Sequence, residues 1–266
     1  SVPALMVVYN FDSPAIQSAG PNPLAPSQYY ARYTQRLISH LSAQTAEGAL
    51  YEVDMRLRPS GQKGPVAAQL STFREYQATE AWTWEHMALT RARVVAGPPE
   101  LKAEVEAAVR DTLLRPRDRT AIAKDVLDMR ARIAGEKGTD NIWDLKQVRG
   151  GLVDLEFIVQ HLQLVHAAEQ PAVLDQNTLA AFRKLAAAGV IPAANADSLI
   201  QAARLIHNLT QVLRLCLEEA FDPSTAPRGL KALLARAGDV PDFKTLEGVL
   251  RETLLNVEVQ FRELIA

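Results

Sequence analysis

The sequence predicts a mostly helical α+β protein, with a few strands near the N-terminus followed along the chain by a bundle of helices. Short apolar or alternating runs at 5–9, 51–58 and 90–96 are typical of strands. From residue 99 onward, apolar side chains recur with the helical period, which indicates amphipathic helices. We expect these helices near 99–114, 118–134, 151–168, 176–188, 195–220, 227–236 and 243–265.

Two domains are predicted from the length and from one break in the pattern. A chain of 266 residues is long enough for one large domain or two ordinary ones. Residues 115–118, with a proline among charged side chains, interrupt the helical pattern. We therefore place a first domain at 1–117 and a helical domain at 118–266. A second candidate boundary lies at 135–141.

The composition excludes some classes of protein and favours a reducing, cytoplasmic setting. Lys and Arg number 29 against 31 Asp and Glu, a balance that gives no general attraction to nucleic acid or to acidic membranes. Cys216 is the single cysteine, which excludes an intramolecular disulfide, and we expect it in the core. No apolar run is long enough to span a membrane. The histidine spacing does not indicate a metal site, and Trp82, Trp84 and Trp143 are expected to pack.

The clearest local pattern is the alternation of apolar and charged residues at 51–58. The apolar residues are Tyr51, Val53, Met55 and Leu57. The charged residues between them are Glu52, Asp54, Arg56 and Arg58. Such strict alternation predicts a strand with one apolar and one charged face. Pro59 is expected to end the strand, and residues 60–64 to form a flexible turn.

The charged face of this strand suits a site where a metal ion and a polyphosphate meet. Asp54 would hold Mg²⁺, while Arg56 and Arg58 would clamp phosphate oxygens. The turn at Ser60 and Gly61 would add backbone donors. The alternative is a solvated strand face on which the aspartate and the arginines pair with one another, and the pattern alone favours neither.

A second basic pair lies in the segment 90–96. Arg91 and Arg93 share one face if this segment is a strand, because successive side chains of a strand alternate between its faces. There they would add contacts to phosphate. Pairing with acidic neighbours on the surface is an equally good interpretation.

The glycine pair 150–151 follows Lys146 and Arg149 and precedes a predicted helix. Backbone N–H groups at such a position can bind an anion, although an ordinary tight turn is the favoured interpretation. Asp154 and Glu156 lie in the first turns of that helix. Their favourable interaction with the helix dipole is a sufficient structural reason for them.

Three long stretches carry a resemblance to a known family. They are LYEVDMRLRPSG at 50–61, FREYQATEAWTWEHMALTRARVVAG at 73–97 and DLKQVRGGLVDLEFIVQHLQLVHA at 144–167. Together they resemble glutamate–ammonia ligase adenylyltransferase, also called glutamine synthetase adenylyltransferase. That family attaches AMP with one half and removes it with the other. The stretch EAWTWEH at 80–86 is more similar to the C-terminal, attaching half.

The resemblance implies a fold, a reaction and partners. The fold would be of the nucleotidyltransferase type, a small mixed sheet with helices, followed by a helical domain. MgATP would be the donor and a tyrosine of glutamine synthetase the acceptor, with pyrophosphate leaving. A PII-type signalling protein would be a further partner. The family holds its metal ions with an Asp-x-Asp pair on one strand and a third aspartate on a neighbouring strand. Asp54 matches this third aspartate, as a metal ligand and as the base for the attacking hydroxyl.

The sequence departs from the family at the Asp-x-Asp strand. Val2 and Ala4 occupy the two carboxylate positions, and no Gly-rich segment precedes them. Asp54 alone cannot hold two Mg²⁺ ions, so adenylyl transfer is expected to be absent or weak. The chain is then either a diverged, inactive relative or a truncated product whose first residues do not represent the native enzyme.

Two functions from different classes follow. The first is an adenylyltransferase domain that acts on glutamine synthetase. The second is a non-catalytic remnant whose helices bind glutamine synthetase or a PII-type protein. The first strand discriminates between them, because carboxylates at positions 2 and 4 would favour the enzyme.

Overall fold

The chain divides into two compact units, Ser1–Leu113 and Leu114–Ala266. The computed structural model describes residues 4–11, 13, 15–49 and 52–265. Helices dominate and strands are few and short, which confirms the mostly helical α+β class. The domain boundary expected between residues 117 and 118 stays a prediction.

Four short strands lie in the described part of the first unit. β1 (Val7–Tyr9) pairs in parallel with β4 (Ala67–Gln69). β2 (Gln44–Thr45) and β3 (Gly48–Ala49) form a small antiparallel hairpin. β1 confirms part of the strand predicted at 5–9, because its three residues pair with β4.

Four helices complete the first unit. α1 (Pro26–Leu41) and α2 (Leu70–Thr79) pack against β4, and α4 (Pro99–Leu113) packs against α2 and α3 (Thr83–Leu89). Phe73 of α2 and Met87 of α3 are buried at the centre. Full burial of side chains of this size stabilises a fold by roughly 1.5–3 kcal/mol each.

Two strands predicted from the sequence are wrong. Residues 52–66 form a loop that makes a single bridge, at Asp54, and contains a short 3₁₀ helix, Gly61–Lys63. Residues 50 and 51 lie outside the described part. The alternation does not produce a strand because the chain turns at 56–60, where Ser60 takes the left-handed conformation with φ of 59°. Residues 92–96 pair with no strand in the described part of the chain.

All regular structure in the described part of the second unit is helical. Its helices are α5 (Arg119–Lys137), α6 (Leu152–His166), α7 (Thr178–Ala187), α8 (Ala193–Cys216), α9 (Arg228–Ala237) and α10 (Phe243–Ile265). These confirm the predicted helices, with ends shifted by a few residues. α6 is central, since α5, α7, α8 and α10 all pack against it. None of the helices in the described ranges is long and apolar enough to cross a membrane.

The tryptophans and the single cysteine divide between core and surface. Trp143 is buried in the second unit and stacks on Phe243, with ring centroids 5.2 Å apart. Trp82 and Trp84, by contrast, are 68% and 40% exposed at the start of α3. Cys216 is exposed at the end of α8. The prediction that Cys216 lies in the core is therefore wrong, and Trp82 and Trp84 are more exposed than their expected packing role implies.

An ion pair with almost no solvent exposure joins α5 to α6. The Nε atom of Arg130 donates to Oδ1 of Asp154, and the side chains are 1% and 0% exposed. Nη2 of Arg130 donates in addition to the carbonyl oxygen of Gln147, at 3.2 Å. Because two charges have been removed from water, each depends on the other for compensation.

The glycine at 150 explains why the loop before α6 has its shape. Its backbone N–H donates to Oδ2 of Asp154 at 2.6 Å, and its φ is +76°. A Cβ at this position would lie 1.8 Å from the carbonyl oxygen of Leu254 in α10. The glycine is therefore required by close packing, and its N–H is already used by a carboxylate. This supports the tight-turn interpretation of the glycine pair over the anion-binding one.

Replacing Asp154 with asparagine should destabilise the fold strongly. Asp154→Asn removes the charge that compensates the buried guanidinium of Arg130, and breaking such a pair costs about 3–5 kcal/mol. The free energy of unfolding, measured with urea and followed by circular dichroism, tests this. Asp197→Asn on the exposed side of α8 is the matched control and should change that free energy by less than about 0.5 kcal/mol. Equal effects of the two variants would contradict a special role for the pair.

Acidification should weaken the fold through His161. Burial lowers the pKa of His161 to about 4, and its Nδ1 has no hydrogen-bond partner among the described residues. Between about pH 6.5 and about pH 4, His161 binds a proton in the unfolded chain but not in the folded chain. The contribution of His161 to the free energy of unfolding is therefore complete above about pH 6.5, and it decreases as the pH falls toward about 4.

In the wild type, the free energy of unfolding should fall by roughly 3 kcal/mol across this pH range because of His161. The variant His161→Gln should lose most of this fall. Urea unfolding at several pH values measures it. The control His40→Gln changes an exposed histidine of α1 and should leave the slope as it is. A wild-type stability that stays constant across the window would refute the assignment.

Candidate active site

The backbone brings Asp54 directly beside the first strand. Ala4 and Asp54 form a parallel bridge, and the N–H of Leu5 donates to the carbonyl oxygen of Asp54 at 2.8 Å. Residues paired in this way project their side chains to the same face. A side chain at position 4 and the carboxylate of Asp54 are therefore neighbours. This is the arrangement that the resemblance implies for the second and the third aspartate of the family.

The carboxylate of Asp54 is bound by Arg56. Nε of Arg56 lies 3.0 Å from Oδ1 and 2.9 Å from Oδ2, and Nη2 lies 2.6 Å from Oδ2. These side-chain hydrogen bonds hold the pKa of Asp54 below its usual value, against the opposing effect of partial burial. The guanidinium of Arg56 is 71% exposed, whereas the side chain of Asp54 is 23% exposed. Both predicted residues thus meet, as an ion pair open to solvent on the arginine side.

Arg58 contributes to the shape of the loop. Its side chain is buried, and its Nη1 donates to the carbonyl oxygen of Met55 at 2.6 Å. Its Nε and Nη2 lie 3.3 Å and 3.5 Å from the carbonyl oxygens of Gly64 and Gln62. Arg58 therefore draws the two sides of the loop together. The predicted parallel projection of Asp54, Arg56 and Arg58 from one strand face is wrong, because no strand forms here.

A shallow surface depression surrounds the ion pair. It has a volume of about 580 Å³ and is wide open to solvent. The residues that line it are Glu52, Val53, Asp54, Met55, Arg56, Arg58 and Gln62. Arg91 and Arg93 are exposed in the segment after α3 and are not part of this lining. Their role in nucleotide binding stays a prediction.

The turn next to the depression is tightly constrained. Ser60 and Gly61 have φ of 59° and 55°, in the left-handed region that a non-glycine residue such as serine seldom adopts. Gly64 closes the turn, and a Cβ there would lie 2.0 Å from the carbonyl oxygen of Pro59. The turn predicted at 60–64 is thus present, with a fixed backbone rather than a flexible one.

Tyr76 and Glu85 support this turn from beneath, and the sequence did not single out Tyr76. The Tyr76 hydroxyl lies 3.0 Å from both carboxylate oxygens of Glu85, and the backbone of Ser60 lies close enough to lower the pKa of this hydroxyl. Glu85 accepts the N–H of Trp82 as well, at 2.9 Å. Burial, followed by the contact with Glu85, raises the pKa of Tyr76. Only the three-dimensional fold brings these residues together, and no spacing rule identifies the pair.

The described donors do not fit a two-metal centre. Among the described residues, no group of three or more His, Cys, Asp or Glu side chains could hold a metal ion. The carboxylate of Asp54 already accepts from Arg56, and its neighbour at position 4 is alanine. Val2, at the other carboxylate position, lies outside the described residues.

Comparison with known proteins gives a family match for each of the two units. Residues 4–108 match the family model for glutamate-ammonia ligase adenylyltransferase, and residues 124–265 match the model described as GlnD PII-uridylyltransferase. The chain is 51% identical over 261 residues to the bifunctional glutamine synthetase adenylyltransferase/adenylyl-removing enzyme of Rhodopseudomonas palustris, and 52% identical to that of Bradyrhizobium diazoefficiens. In both cases the match covers 98% of this chain and 26% of the relative.

The chain therefore belongs to the glutamate-ammonia ligase adenylyltransferase family, and its helical unit belongs to the family described as GlnD PII-uridylyltransferase. It spans about a quarter of the length of the curated relatives that it matches. The two family models fall one on each compact unit. The resemblance seen in the three sequence stretches is thus confirmed.

Removing the Tyr76 hydroxyl should loosen the turn. Tyr76→Phe leaves the buried carboxylate of Glu85 without one of its donors, at a cost of about 1–3 kcal/mol. The free energy of unfolding and hydrogen exchange at residues 58–64 measure the effect. Tyr33→Phe, at an exposed position of α1, is the matched control and should change neither quantity. Unchanged exchange in Tyr76→Phe would show that the turn does not depend on this contact.

Proposed function

We propose that this chain is an adenylyl-transferring domain of the family, with the reaction of its C-terminal half. The acceptor is a tyrosine of glutamine synthetase and the donor is MgATP. The tyrosine hydroxyl attacks the α-phosphorus, an O–P bond forms, and the bond to pyrophosphate breaks. The observation that carries this proposal is the bridge between Ala4 and Asp54, since it reproduces the neighbouring positions that the family uses for its carboxylates.

Individual residues are assigned roles within this proposal. Asp54 would accept the proton of the attacking hydroxyl, and it is the one carboxylate that this chain keeps of the three that the resemblance implies for metal binding. Arg56 contacts phosphate oxygens from the open side of the depression. Ser60 and Gly61 present backbone groups near the same site. Arg91 and Arg93 add positive charge farther along the same unit.

Transfer is proposed to be impaired in this sequence. The family implies Mg²⁺ held by three carboxylates, and the described donors here are reduced to Asp54, which is paired with an arginine. In-line transfer of a nucleotidyl group depends on charge neutralisation at the phosphates. Loss of residues that act as a unit costs several orders of magnitude in rate. We therefore expect Val2 and Ala4 to lower the rate of adenylyl transfer.

The alternative function is a binding module without catalysis. One observation favours it: residues 124–265 match a family whose description names a PII-uridylyltransferase. In this alternative the helices bind glutamine synthetase or a PII-type protein. A cytoplasmic setting is part of both proposals, since glutamine synthetase is the partner named by the relatives.

Restoring two carboxylates tests the proposal directly. The double variant Val2→Asp with Ala4→Asp should incorporate labelled AMP into glutamine synthetase about a hundredfold faster or more than the unchanged chain. Val2→Asn with Ala4→Asn is the matched control, because it supplies the same size without charge, and it should remain inactive. The measurement is transfer from ATP labelled at the α-phosphate.

Each result of this assay separates the two functions. Robust incorporation by the unchanged chain would show that transfer is not impaired. No gain in the aspartate variant, together with binding of glutamine synthetase or a PII-type protein by the unchanged chain, would favour the module.

A further inference from the structure

We infer that the exposed side of α1 docks an acidic surface of the protein acceptor. The inference rests on the proposed function, since it names the part of this chain that recognises the acceptor protein. It uses no residue of the loop 52–66 that forms the candidate active site. Two rows of side chains define this surface, which we call the α1 face. The aromatic row is Tyr29 and Tyr33, and the basic row is Arg32 and Arg36.

The four side chains of the α1 face lie together because of their spacing. In each row the two residues are four positions apart, so they are neighbours one helical turn apart. All four residues are exposed, Tyr29 at 44% and Tyr33 at 54%. The other side of the helix buries Thr34, and α1 packs against β4. The two rows therefore form one continuous surface that is open to a partner.

The basic row has no acidic neighbour that compensates its charge. No Asp or Glu occurs from residue 13 to residue 46, although the whole chain has a net charge of −2. Arg32 and Arg36 form no ion pair and no side-chain hydrogen bond with the residues that the structure describes. Like charges one turn apart on a helix repel each other, so this pair is unfavourable in the free chain. Carboxylates of a partner would remove the repulsion, since each guanidinium can bind one in a bidentate geometry.

The aromatic row favours a protein as the partner. Tyrosine, arginine and tryptophan are the residue types that contribute most to the affinity of protein–protein interfaces. A tyrosine side chain supplies a large contact area and has little conformational freedom to lose. Nucleic-acid sites commonly contact about six to ten phosphates, whereas this face offers two guanidiniums. The matching surface therefore carries carboxylates beside apolar side chains.

Binding of the full chain to glutamine synthetase tests the α1 face. Surface plasmon resonance with immobilised glutamine synthetase of Rhodopseudomonas palustris measures the affinity and its dependence on salt. Arg32→Gln with Arg36→Gln should weaken binding about tenfold or more at low salt and remove most of the salt dependence, because the pairing and steering by two charges are lost. Arg32→Lys with Arg36→Lys keeps both charges and should retain the salt dependence.

Arg110→Gln with Arg132→Gln is the matched control. It removes the same charge from exposed positions of α4 and α5, and it should leave the affinity unchanged. Tyr29→Ser with Tyr33→Ser should speed dissociation but keep the salt dependence, because it removes contact area and no charge. Circular dichroism of each variant shows that the helices are intact.

The possible results separate the α1 face from the proposed function. Equal affinity of the Arg32→Gln with Arg36→Gln variant and the control would overturn the inference. So would binding of a DNA duplex that the same variant loses, because the face would then recognise phosphate. If the unchanged chain does not bind glutamine synthetase, a capped polyglutamate peptide is the second probe. Peptide binding that requires Arg32 and Arg36 would support the acidic partner and reject the acceptor named in the proposed function. Binding to neither probe would overturn the inference.

Discussion

The backbone contact between Ala4 and Asp54 is the constraint on which the site depends. It holds the loop of residues 52–66 against the first strand, although the regular structure of this loop is limited to a short 3₁₀ helix, Gly61–Lys63. From that contact the carboxylate of Asp54 takes its position, and Arg56 then takes its own from the carboxylate. Arg58 and the turn at Ser60 fix the far side of the same loop. A loop with this many internal contacts can hold functional side chains as firmly as a strand does.

Three arginines of this protein show how burial decides what a guanidinium does. Arg130 is 1% exposed and is committed to Asp154, where it joins two helices. Arg58 is also buried and is committed to backbone carbonyl oxygens of its own loop. Arg56 is 71% exposed and shares only one edge with Asp54. Of the three it alone keeps a free edge toward solvent, and residue type alone does not reveal this difference.

Much of the fold could be predicted from the sequence, and the limits have physical reasons. The helices after residue 99 are long and periodic, so their core faces, such as the one that includes Leu155 and Ile158 in α6, could be read directly. The alternation at 51–58 was misleading because the contacts of Arg58 with nearby carbonyl oxygens favour a turn over a strand.

The candidate site could be predicted only in part, because a sequence shows local spacing but not contacts that depend on packing. Asp54 and Arg56 were found because they are two residues apart, and local spacing is visible in a sequence. Tyr76, which supports Ser60, was not found, because its contact with Glu85 depends on the packing of α2 and α3. Likewise Asp154 was read as a helix-dipole residue, and its buried partner Arg130 is 24 residues away in α5.

The placement of the three tryptophans gives the two units different optical properties. Trp143 lies in an apolar aromatic cluster of the second unit, whereas Trp82 and Trp84 face water in the first. An indole in a dry environment emits at shorter wavelength than one in water. The emission of the folded chain is thus a sum of a blue component from one unit and a red component from the other. Loss of the blue component alone reports the melting of the helical unit, so the stability of each unit can be followed in the intact chain without an added label.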